Sequence, residues 1–152
     1  MEVIMYTFNM IPPRTSGMAL MIVAILIPFL ISIFLGIDLY MLKHVKYNID
    51  RNELQIKGGL YKRVLSKDEL DLDSVSIVDL NNKMDLAPVI KRNGIGLPGI
   101  KEGWFKLRNG EKALLFLTDT KNVVYIRTLK GYALLLSVSN PEEFVKKLRA
   151  MG

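Results

Sequence analysis

The residues that most resemble a chemical site are the run Gly94-Ile95-Gly96-Leu97-Pro98-Gly99, which fits the G-x-G-x-x-G pattern of a dinucleotide-binding turn. Such a turn works only between a parallel strand and the start of a helix, where free helix N–H groups meet the pyrophosphate. Here Pro98 and Gly99 disfavour helix continuation, the following residues read as strand, and no alternation of strands and helices surrounds the run. Nucleotide binding is therefore set aside. We take Gly94, Gly96, Pro98 and Gly99 as a structural loop whose glycines permit positive φ or close backbone approach. Lys91, Arg92 and Lys101 flank that loop, and together with exposed N–H groups they are also the residues of an anion site. Both readings stay open at the level of sequence.

Other candidates carry less chemistry. His44 is the only histidine and there is no cysteine, so neither a disulfide nor a metal set of the usual type can be assembled. No cofactor is implied. Asp68, Glu69, Asp71 and Asp73 form an acidic cluster without the glycine and closing glutamate of a calcium loop, and read as a solvated turn. No serine or threonine has a base partner to activate it, which argues against an enzyme. Trp104, Lys106 and Arg108 would share one face of a strand, with Phe105 and Leu107 on the core face. Lys106 and Arg108 thus join Lys91, Arg92 and Lys101 as candidate ligand-binding residues.

The elements that must position these residues begin with an anchor. Thr15 to Ile37 is a run of 23 uncharged residues between Arg14 and Asp38. As a helix it covers roughly 34 Å, enough for a hydrocarbon core of about 30 Å with some tilt. A buried core helix would show a polar stripe, and a cleaved signal peptide would need a basic start and a shorter apolar stretch. Pro28 suggests a kink rather than two helices. Arg14 alone precedes the helix, whereas Lys43, Lys46 and Arg51 follow it, so the larger domain is expected on the cytoplasmic side. Residues 1–14 then form a short extracytoplasmic segment, 15–42 a single-pass transmembrane helix and 43–152 the domain.

That domain carries 20 basic and 13 acidic residues, a formal charge of +7. Beside a bilayer such a balance suits an anionic lipid surface. The bases are scattered among acids with no recognisable nucleic-acid motif, so nucleic acid is not expected as a partner. Strand-length apolar stretches alternate with turn signals: Val45 to Ile49, Leu54 to Lys57, Leu60 to Leu65 and Val75 to Leu80. After an irregular stretch come Trp104 to Leu107, Ala113 to Thr118, Val123 to Thr128 and Tyr132 to Val138. This spacing argues for an antiparallel sandwich or barrel. A helix closes the chain, with Asn140 as N-cap, Pro141 in the first turn, Glu143 at the capping-box position and Phe144, Val145 and Leu148 as its apolar stripe.

Strands followed by one C-terminal helix resemble the pleckstrin-homology (PH) domain, and local motifs resemble a bacterial membrane-anchored family of such domains. They are Ile56-Lys57-Gly58-Gly59-Leu60-Tyr61, the Asn93 to Gly99 run, Gly103-Trp104-Phe105-Lys106-Leu107-Arg108 and Lys112 to Asp119. Val123-Val124-Tyr125-Ile126 and Gly131 to Ser137 complete the set. The resemblance spans about residues 45 to 150. It implies a mainly β fold, a partly open barrel capped by the helix, serving as a binding or assembly module without catalytic residues. The expected function is membrane-tethered binding or scaffolding through a protein partner or a homo-oligomer. The alternative is recognition of an anionic lipid headgroup or small anion by the basic face.

Overall fold

A computed structural model describes residues 9–11, 15–43 and 45–151. Arg14, His44 and the segment from Val3 to Phe8, whose composition by sequence suits a strand, lie outside the described residues. The chain divides into two compact units, residues 1–37 and 38–152. The first is dominated by helix α1, Thr15–Lys43, which contains Pro28. Ser32 Oγ donates to the Pro28 carbonyl at 2.8 Å, a contact that ties side chain to backbone next to the proline. Described side chains from Gly17 to Ile37 are exposed, and this stretch is long and apolar enough to cross a membrane. A surface so apolar and so uniformly exposed has no polar face to offer water.

The second unit is mainly β. Its strands are β1 Lys46–Ile49, β2 Glu53–Lys57, β3 Arg63–Ser66, β4 Leu70–Val78, β5 Pro88–Leu97, β6 Ile100–Leu107, β7 Lys112–Leu117, β8 Val123–Thr128 and β9 Ala133–Ser137. Helix α2, Pro141–Arg149, closes it. Strands β1, β2 and β3 form one antiparallel sheet in chain order; the other six form a sheet in the order β4-β8-β9-β7-β6-β5. The two sheets do not join into a closed barrel. They enclose a core of Leu54, Ile56, Leu65, Leu114, Phe116, Ile126, Leu134 and Leu136, onto which α2 lays Phe144, Val145 and Leu148. Asn140 caps α2 as expected, its Oδ1 accepting from the Glu143 N–H at 3.3 Å.

Three features depart from the reading of the sequence. First, β9 lies between β7 and β8, antiparallel to β8 but parallel to β7. The central strands are buried on both faces, because Leu80 and Leu86 from the loop after β4 cover a second cluster containing Leu115, Leu117, Tyr125 and Leu135. This explains why Ala113 to Leu117 and Ala133 to Leu136 are unbroken apolar runs rather than alternating ones. Second, the acidic cluster is not a turn throughout. Asp68 and Glu69 lie in a 3₁₀ turn, while Asp71 and Asp73 belong to β4, whose Leu70-Asp71-Leu72-Asp73 alternation is that of a strand. Glu69 pairs with Lys130 at 2.7 Å, and that hydrogen bond holds its carboxyl below the usual range. Third, the stretch before Trp104 is not irregular but the long hairpin β5–β6.

Candidate binding sites on the β5–β6 hairpin

Strand β5 borders only β6, so it forms one edge of the larger sheet, β4 being the other. Gly94 and Gly96 are therefore strand residues, and only Pro98 and Gly99 of the supposed loop form the turn. Gly94 (φ 146°) faces Gly103 (φ 110°) across the ladder. Their backbones approach so closely that a Cβ on either would strike the other strand, which is why glycine occupies both positions. A reading based on strand propensity discounts glycine and so misses this element.

Placement on a strand sorts the candidate bases by face. Lys91 pairs with Phe105 and Lys101 pairs with Gly96, which puts the two lysines on the side of Phe105. There they line a groove of about 360 Å³ with Val89, Gly96, Leu97 and Phe105. Arg92 is an extra residue at a bulge between the Lys91–Phe105 and Asn93–Trp104 pairs. A bulge re-aims the side chain it carries. Arg92 lines a different cavity of about 500 Å³ with Asn93, Trp104, Lys106, Gly110 and Lys112. Arg108 joins neither group; it lies in the turn after β6, its N–H donating to the Ala87 carbonyl at 3.0 Å.

The sequence reading placed Lys112 in a family motif but not among the candidate ligand-binding residues. It pairs with Lys106 across the β6–β7 ladder, and its Nζ stands 4.2 Å from the Trp104 ring centroid. The Asn109-Gly110 turn, followed outward through the hairpin register, is the signal that would have found it. Tyr132 meets Trp104 edge to face at 5.0 Å, and the Arg63 guanidinium lies 5.8 Å from the same indole, in a neighbouring cavity of about 370 Å³. Burial pushes the Tyr132 hydroxyl pKa up, an effect opposed by nearby Arg63 and Lys130.

Behind this surface stands Glu102, a fully buried acid on the core side of β6. Its Oε1 accepts from the Leu60 N–H at 2.8 Å, linking the loop after β2 to the larger sheet. Gly59, with φ 66°, leaves room for that carboxyl where a Cβ would collide with it. Tyr47 packs against the same core; burial first, and the Glu102 carboxyl second, push its hydroxyl pKa well above the ordinary value of 10.0. Its hydroxyl therefore stays protonated. These groups join the sheets.

Among the described residues no group of three or more His, Cys, Asp or Glu could hold a metal ion. The geometry instead offers two basic recesses on opposite sides of one hairpin. No curated protein and no solved structure matches the chain. The family model for the bacterial PH domain matches residues 45–151, a span that takes in all nine strands and α2. Domains of this kind are generally interaction modules rather than enzymes. The chain belongs to the bacterial PH domain family.

Proposed function

We propose that the chain is a non-catalytic, membrane-tethered binding module that engages an extended segment of a partner protein along β5. One observation carries this reading: β5 is an edge strand with a groove beside it, floored by Phe105 and flanked by the ammonium groups of Lys91 and Lys101. An added strand gains main-chain hydrogen bonds from such an edge, and a side pocket selects among sequences. Two lysines at the pocket fit an acidic side chain. Pro88 and the bulges at Val89 and Arg92 spoil regular pairing in the first half of β5. The regular edge from Gly94 to Leu97 is the part left for a partner.

Gly96→Val tests this. Its φ is ordinary, and a Cβ there would lie 3.6 Å from Phe105 Cζ and 3.6 Å from Lys91 Cδ, ordinary contact distances, so the added side chain enters the groove. Recovery of the partner with the detergent-solubilised chain is expected to fall about tenfold, equivalent to about 1.4 kcal/mol. Lys91→Glu combined with Lys101→Glu should do the same. Unchanged recovery from both variants would rule the edge out, and concentration-dependent dimerisation abolished by Gly96→Val would make the partner a second copy.

The tether sets the location. In this reading α1 crosses the membrane, residues 1–14 lie outside, and the domain is cytoplasmic because Lys43, Lys46 and Arg51 follow the helix. Protease added to intact cells is expected to spare residues 43–152; their digestion would reverse the topology. The alternative function, recognition of an anion by the basic face, is favoured by a separate observation, the cavity beside Trp104 whose lining contains no acid.

A further inference from the structure

The cavity beside Trp104 is large enough for a small molecule, since such sites occupy about 300–1,000 Å³. Three of its walls are cationic: Arg92, Lys106 and Lys112. Ion pairs among the described residues join Arg127 to Glu111 and Lys130 to Glu69, so these three bases have no carboxylate partner there. Lys106 and Lys112 moreover stand directly opposite each other on neighbouring strands. Like charges so placed are destabilising unless something negative comes between them. The bulge in β5 adds a third cation by bringing Arg92 to the side of Trp104. The indole and the Lys112 ammonium stack at 4.2 Å, an arrangement that orients the ammonium while leaving its N–H donors available.

We propose that this cavity binds the phosphoryl group of an organic phosphate ester, an assignment that rests on the anion-recognition reading and names its ligand class. Arg92, Lys106 and Lys112 hold the phosphoryl oxygens, and the Trp104 ring forms the wall for the organic part. Three cationic donors around one acceptor group match the three terminal oxygens of a phosphate monoester, whereas a carboxylate offers two. The Asn93 amide, in the same lining, can donate to a further ester or hydroxyl oxygen. Such a group is presented both by soluble phosphate esters and by lipids with a monoester headgroup.

Trp104 is the only tryptophan, so its emission reports on this cavity directly. The full chain in uncharged detergent is titrated with phenyl phosphate, and separately reconstituted in phosphatidylcholine nanodiscs with or without phosphatidic acid. Phenyl phosphate is expected to shift the Trp104 emission saturably, and the affinity to fall as salt rises. Lys112→Gln and Arg92→Gln should each weaken binding about tenfold, from the loss of one charge-assisted hydrogen bond. Calorimetry accompanies the fluorescence, since Lys112→Gln changes the surroundings of the indole by itself. Lys91→Gln and Arg108→Gln, outside the cavity, should leave the affinity unchanged. A response to phenyl phosphate but not to phosphatidic acid identifies a soluble ester; a response to phosphatidic acid identifies a lipid. If benzoate binds as tightly as phenyl phosphate, the anion reading survives and the phosphate assignment falls. No response to any of the three sinks both, and equal weakening by Lys91→Gln would show diffuse attraction and overturn the site.

Discussion

Gly103→Val is expected to abolish the cooperative thermal unfolding of the β domain, followed by circular dichroism on the full chain in detergent. Gly103 has φ 110°, a conformation that side-chain-bearing residues rarely adopt, and a Cβ there would lie 2.7 Å from Gly94 Cα and 2.9 Å from the Tyr61 ring. It would also strike the Asn93 carbonyl. Two of these obstacles are backbone atoms of the paired strand, so no rotamer change relieves the overlap. Keeping the hairpin would mean separating β5 from β6 and giving up their hydrogen bonds. A loss above about 4 kcal/mol is expected, a large share of the 5–15 kcal/mol that holds a typical domain together. Gly99→Ala is the control. Its φ is 77°, but nothing lies within 4 Å of the new Cβ, so only the backbone term of about 1–2 kcal/mol applies. A melt of Gly103→Val within a few degrees of the parent would show that the two strands are not in this register.

Phe144→Ala is expected to cost about 3–5 kcal/mol, the range for removing a buried aromatic side chain. Phe144 lies on the buried face of α2 among Leu148, Val145 and Met151, and meets Tyr47 edge to face at 6.0 Å. Its removal leaves a void between the helix and the smaller sheet. Arg149, whose Nη2 donates to the Val75 carbonyl at 2.6 Å, does not make up this loss, because that one part-buried hydrogen bond from a charged group, worth about 1.5–3 kcal/mol, is present in parent and variant alike. Denaturant unfolding of the full chain measures the change. A loss under about 1 kcal/mol would mean that α2 is not docked.

The parts of this fold that local chemistry dictates were legible in the residues. Asn140, Pro141 and Glu143 mark the start of α2 because each answers a specific backbone need, and the apolar run after Thr15 needs only length and composition to be recognised. Strands with clear turn signals, such as β2 and β8, fell within a residue of their expected places. Strand β5 did not. Its two glycines and its bulges break the alternation on which strand recognition depends, and the reason for glycine at 94 is a neighbour nine residues away on β6. The parallel β7–β9 pairing is likewise a tertiary fact; the chain shows only that both strands are apolar throughout. For the sites, the identities of Lys91, Arg92, Lys101 and Lys106 were readable but their grouping was not. One extra residue at the bulge moves Arg92 away from Lys91, and hairpin register brings Lys112 to Lys106. Sequence proximity had placed Lys91, Arg92 and Lys101 in one cluster; geometry divides them.

The position of β9 bears on how the domain is made. Among the described residues it is the last strand in chain order, yet it fills the middle of the larger sheet, with β7 on one side and β8 on the other. Ribosomes deliver residues in order, so β7 and β8 both emerge before the strand that pairs with each of them. No partial chain ending before Ala133 contains the strand that joins them. The β domain is therefore a keystone structure: its larger sheet is joined through one segment of five residues that follows, in chain order, both of the strands it lies between.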